Sequence, residues 1–170
     1  MLFGQHRASV WAYLARRAPA VAVEDLLAET FLVVWRSLDR VPADPLPWLY
    51  AVARRVLAND RRARGRRSAL AARLWAQRGS AGDEPPLVGG VSEPVRGALL
   101  SLSEAEREAV LLIAWEELTP SEAAMALGCS AAAFRVRLHR ARRALSRSLA
   151  TTDAPTGGTQ PHLTTEASEP

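Results

Sequence analysis

Lysine is missing altogether: all 22 basic residues of this 170-residue chain are arginine. GC-rich coding accounts for that bias as well as function does, so only the placement of the arginines carries functional weight. Cysteine is nearly missing. The single Cys129 excludes an internal disulfide and fits a reducing compartment. It falls in a turn, where a small filler is a simpler reading than a reactive thiol. Histidine is sparse, and His6, His139 and His162 are scattered along the chain. There is no metal-ligand cluster, no glycine-rich phosphate loop and no nucleophile–base–orienter set. The sequence therefore points away from an enzyme, and no cofactor is expected. No apolar run approaches the roughly 18 residues of a membrane span. Met1–Arg17 is interrupted by His6, Arg7 and Arg16 and lacks the apolar core of a signal peptide. A cytoplasmic location without membrane insertion is expected. Strand signals are absent as well, since no turn dipeptides separate alternating apolar runs. The expected fold class is all-α.

What is present begins with the last third. Thr119 is a natural N-cap, Pro120 suits the first helical position, and Glu122 can close a capping box. Ala123, Ala124 and Leu127 give this short helix an apolar face. Gly128 ends it, because glycine readily takes the positive φ of a helix C-terminus. Ser130 caps the next helix, whose stripe of Phe134, Leu138, Ala141 and Leu145 turns one face inward. Arg135, Arg137, Arg140, Arg142, Arg143 and Arg147 cover the rest. Upstream, Ser103 and Glu106 form another capping box, opening a helix to about Trp115 that carries Val110, Leu111 and Ala114 inward. A helix that is merely solvated mixes charge signs. This last helix has no acid between Ser130 and Asp153. Two short helices, a glycine turn and an arginine-studded second helix read as a helix-turn-helix.

The rest of the chain divides into blocks. Residues 1–76 form an N-terminal helical domain. Residues 77–94, with Gly79, Gly82, Pro85, Pro86, Gly89, Gly90 and Pro94, read as a flexible linker. Residues 95–150 form the C-terminal domain, and the Thr/Pro/Gly/Ser-rich stretch 151–170 reads as a disordered tail. In the first block, the helix Val23–Arg36 carries a core stripe of Leu27, Phe31, Val34, Trp35 and Leu38. Asp25 and Glu29 lie four apart on another face, a mildly repulsive arrangement. Helix-dipole complementarity explains Glu24 and Asp25 but explains Glu29 poorly. That acidic edge beside Leu32 suits a basic protein partner. A stiff loop from Asp39 to Pro47 follows. Trp48 then starts a basic helix with Leu49, Val52, Ala53, Val56 and Leu57 inward. Trp48 reads either as core or as the aromatic edge of a surface for unpaired bases.

Together the blocks resemble a bacterial sigma factor of the sigma-70 family, in its extracytoplasmic-function group. The segment Glu24-Asp25-Leu26-Leu27-Ala28-Glu29-Thr30-Phe31-Leu32-Val33-Val34-Trp35 is similar to the family's Glu-Asp-Leu-Val-Gln-Glu-Thr-Phe-Leu-x-x-Trp. Pro47–Arg54 with Asp60-Arg61-Arg62 resembles its promoter-melting segment. Arg137–Arg142 resembles the end of its recognition helix. The likeness spans Leu2–Leu149 with the linker unconstrained. It implies a dissociable initiation subunit that directs core RNA polymerase to promoters. Asp25, Leu26, Glu29, Leu32 and Trp35 would grip the β′ clamp helices, and the polymerase β flap would be a second contact. Asp39, Arg40, Trp48, Arg54, Arg55, Asn59, Arg61 and Arg62 would read and melt the minus-ten element. Ser130, Ala131, Ala133, Arg135, Arg137, Arg140 and Arg142 would bind the minus-thirty-five element, with Arg135 as base reader. The linker would thread toward the RNA exit path, and an anti-sigma factor is an implied further partner. A stand-alone helix-turn-helix regulator is the competing expectation, but it has no need of the Glu24–Trp35 segment.

The chain also departs from the family's pattern. Ala132-Ala133-Phe134-Arg135-Val136-Arg137 stands where the family often has Gly-Thr-Val-Lys-Ser-Arg. Arg55 replaces a common Asn, and Asn59 replaces a common Asp. The first helix lacks the family's further aromatic-containing turn, which implies that the start at Met1 is late.

Overall fold

The computed structural model describes residues 2–74 and 91–152, and its described elements are all helical. In chain order they are α1 (Leu2–Ala15), α2 (Val23–Trp35), α3 (Leu46–Leu74), α4 (Glu93–Leu100), α5 (Glu104–Ala114), α6 (Pro120–Leu127) and α7 (Ala131–Thr152). Short 3-10 turns at Ala20–Ala22 and Leu38–Arg40 lead into α2 and out of it. Most of the expected linker, residues 77–90, lies outside the described residues. So does the tail from 153.

The local chemistry of the C-terminal helices explains their ends. Both capping boxes form. Thr119 Oγ1 accepts from Glu122 N at 3.3 Å, and Glu122 Oε2 accepts from Thr119 N at 2.6 Å. Ser103 and Glu106 make the same reciprocal pair. These bonds to the ionised carboxylate hold Glu122 and Glu106 below the ordinary carboxylate value. Gly128 closes α6 at φ 67, the left-handed region that glycine enters without penalty. Ser130 Oγ accepts from Ala133 N at 3.1 Å and starts α7. We expect Thr119→Ala to lower the melting free energy by about 1 kcal/mol, the ordinary worth of an N-cap, measured by denaturant unfolding.

α1, α2 and α3 bury Val10, Tyr13, Leu14, Leu27, Val34, Leu49, Ala53 and Val56 in one cluster. That cluster does not stop at the first block. It runs on into Ala109, Leu112, Ala123, Ala124 and Phe134. α6 packs directly on α3. The alanines that line α6 permit close approach of the two helices. A second cluster, Leu99, Leu102, Leu111 and Ala141, ties α4, α5 and α7 together.

Several expectations need correcting. α3 begins at Leu46, two residues before Trp48, and α4 includes Glu93 and Pro94, with Ser92 as its N-cap position. Proline within the first turn is compatible with a helix, because its missing N–H would have had no partner there. α7 runs through Thr151 and Thr152, past the expected boundary at 150. Ala114 faces solvent, and Leu112 takes the inward position, 1% exposed. In α2 the stripe is narrower than expected. Trp35 is 72% exposed and Leu38, on the following 3-10 turn, 49%, while Val34 next to Trp35 is buried.

Candidate nucleic-acid interface

α7 presents its arginines as its periodicity requires. With Phe134, Leu138 and Ala141 buried, Ala132, Val136, His139 and Arg143 project to the opposite side. Arg135, Arg140 and Arg142 are exposed on its flanks, and Arg137 is half-buried beside α5. None of these arginines is ion-paired among the described residues. Several acids of α5, α6 and the turn between them are engaged by other groups. Glu106 and Glu122 close capping boxes, while Glu104, Glu108 and Glu116 pair with arginines of the N-terminal block. Glu106 lies near enough to feel the charge of Arg140, but cations predominate on this face, and such an excess attracts a polyanion. Of the other expected residues here, Ser130 is spent on the cap, Ala131 is half-buried, and Ala133 is exposed.

α3 carries the second basic face. Arg54, Arg55, Asn59 and Arg62 are exposed, and Arg62 donates to Asn59 Oδ1. Arg61 differs from them. Its Nη1 donates to Glu104 at 2.6 Å and its Nη2 to the Arg17 carbonyl at 3.0 Å. Asp39 and Arg40 pair loosely with each other at 3.9 Å on the 3-10 turn, with side chains 78% and 79% exposed. Trp48 is half-buried against the core, so core packing accounts for most of it.

On α2, Asp25, Glu29, Leu32 and Trp35 are all exposed. Leu26 is not: it is 3% exposed within the core. It supports this surface from beneath and cannot present itself to a partner.

The sequence reading missed an ion network between the blocks. Arg17, with 3% of its side chain exposed, donates from Nε to Glu108 Oε2 at 2.9 Å and from Nη1 to Glu116 Oε1 at 2.9 Å. Its guanidinium also lies 3.8 Å from the centroid of the Tyr13 ring. Tyr13 OH donates to Glu108 Oε1 at 2.9 Å, and Arg16 pairs with Glu116. Burial opposes the Arg17 charge, but Glu108, Tyr13 and Glu116 outweigh it and hold the guanidinium charged. Burial first, then Glu108, raises Tyr13 well above the ordinary phenol value, so its hydroxyl stays a donor. Tyr50, stacked on Tyr13 at 5.0 Å, is pushed up to about 12, mainly by burial. The partners are 91 to 100 residues apart in sequence, so no local pattern announces them.

This geometry meets the comparisons with known proteins. The profile described as Sigma-70 region 2 matches residues 2–67, and that described as Sigma-70, region 4 matches residues 92–145. The RNA polymerase sigma factor NccH of Alcaligenes xylosoxydans xylosoxydans is 33% identical over 136 residues, covering 75% of this chain and 73% of that protein. The chain belongs to the sigma-70 family, in its extracytoplasmic-function group. It is a sigma factor. The ECF RNA polymerase sigma factor EcfG of Rhodopseudomonas palustris (strain TIE-1) is 30% identical over 72% of this chain and 68% of its own length. Among solved structures, the sigma factor RpoE in complex with the anti-sigma factor NepR from Bartonella quintana shares the fold. Its TM-score is 0.64 at 24% identity, covering 89% of this chain and 95% of that one. No described helix of this sigma factor is long and apolar enough to cross a membrane.

Proposed function

We propose that this sigma factor uses three separate surfaces in initiation. Asp25, Glu29, Leu32 and Trp35 on α2 dock onto the β′ clamp helices of core RNA polymerase, with the β flap as a second contact. Asp39, Arg40, Trp48, Arg54, Arg55, Asn59, Arg61 and Arg62 read and open the minus-ten element. The outer face of α7 binds the minus-thirty-five element, where Arg135 reads a base and Arg137, Arg140 and Arg142 hold phosphates. The segment between α3 and α4 connects the two DNA-reading parts. An anti-sigma factor is a further partner, the kind of protein with which the structurally similar Bartonella quintana RpoE was solved.

One observation carries this reading. The fold leaves two acids and two large apolar side chains exposed together on α2, while two basic faces lie on α3 and α7. A regulator acting on DNA alone has no use for the α2 surface. Arg135→Ala separates the roles within α7. We expect it to lower transcription at promoters carrying one particular base pair by about 5-fold to 150-fold, the 1–3 kcal/mol of a bidentate base contact. Equal loss across all minus-thirty-five variants would make Arg135 a phosphate contact instead.

A further inference from the structure

The outer face of α7 is unusual in what it can recognise, and this inference rests on α7 being the minus-thirty-five helix. Its first two turns, Ala131–Leu138, hold only two polar side chains, Arg135 and Arg137. Arg137 is half-buried and borders a groove shared with Ser103 and Glu106 of α5. The centre of the exposed face is apolar. Val136 is 53% exposed, with Ala132 and Ala133 exposed one turn before it. Ala105 of α5 extends that apolar surface along the groove.

Each base presents a different chemistry in the major groove. Guanine offers two acceptors that suit arginine, and thymine offers a methyl group that suits an apolar side chain. Direct recognition of adenine N6 or cytosine N4 requires an acceptor on the protein. No side chain within these turns is such an acceptor. Ser130 Oγ is bonded to Ala133 N, and the nearby Glu106 is held by Ser103. The first other acceptor along the helix is a ring nitrogen of His139, in the third turn. A half-exposed valine in water gains nothing, but against a thymine methyl it sheds solvent from both surfaces.

We propose that Val136, with Ala132 beside it, reads a thymine 5-methyl group, next to a guanine read by Arg135. The minus-thirty-five element of this sigma factor then carries adjacent G and T on one strand. Specificity at the A·T pair comes from the methyl and not from a hydrogen bond.

The test uses holoenzyme assembled from core polymerase and the full chain. Active minus-thirty-five sequences are selected from a randomised library by run-off transcription. Each selected thymine is then replaced by uracil, which removes only the methyl. One replacement should lower initiation about fourfold, the worth of one buried methyl at about 0.8 kcal/mol. Holoenzyme carrying Val136→Ser should transcribe the thymine and uracil templates equally, while Val136→Leu should keep the difference. Val136 is exposed, so neither substitution opens the core. An element that is required but indifferent to uracil at every thymine would overturn the inference and leave the proposed function standing. Transcription indifferent to the whole minus-thirty-five region would overturn both.

Discussion

Replacing Arg17 by methionine will part the two helical blocks of this sigma factor. The substitution leaves Glu108, with 14% of its side chain exposed, without its arginine, and Glu116, with 2%, with Arg16 alone. Breaking a buried pair from one side costs about 3–5 kcal/mol, because the remaining charge keeps its desolvation penalty. A single-domain protein can only absorb that cost or unfold. Here the strained acids and their partner sit on opposite sides of an interface between blocks, so separation returns the carboxylates to water. The expected result is a larger radius of gyration by small-angle X-ray scattering with helical content retained. Combining Arg17→Met with Glu108→Gln should recover part of the loss, since Glu108 loses its arginine while Glu116 keeps Arg16. A compact variant of unchanged stability would show that the apolar interface alone holds the blocks together. Separation has a functional consequence. Arg61 is tied to Glu104 across this interface and to the Arg17 carbonyl within its own block, so separation releases it from Glu104.

The second large effect is expected on α2. Trp35→Ala should weaken binding to core polymerase by about 30-fold to 1000-fold, the 2–4 kcal/mol of an aromatic hot spot. Reversing the charges of Asp25 and Glu29 should weaken it further and steepen the response to salt, read by titration of labelled core. These side chains are exposed, so the melting temperature should move little. Unchanged core affinity in both variants would remove α2 from the docking surface.

Much of this molecule is legible in its sequence where the determining chemistry is local. The capping boxes at Ser103–Glu106 and Thr119–Glu122, the left-handed Gly128 and the Phe134–Leu138–Ala141 stripe all follow from residues within one or two turns of each other. What escaped the reading depends on contacts between distant segments. Leu26 looks like part of an acidic docking edge, yet three-helix packing turns it inward. Trp35 fits an apolar stripe, yet it stays exposed next to the buried Val34. Glu108 and Glu116 look like solvated acids, because their partner Arg17 lies in another block. The arginines of α7 were easier to judge. A run of cations without an acid is a property of the sequence itself, and folding only had to turn Phe134 inward to expose them.

The measurement that tests the account most directly is run-off transcription with purified core polymerase on a library of genomic promoter fragments, with and without this protein. The account predicts specific transcripts that appear only when the protein is added. It predicts that they disappear when Trp35→Ala protein replaces the wild type. Polymerase-independent binding to DNA without any new transcript would contradict it and return the chain to the class of stand-alone regulators.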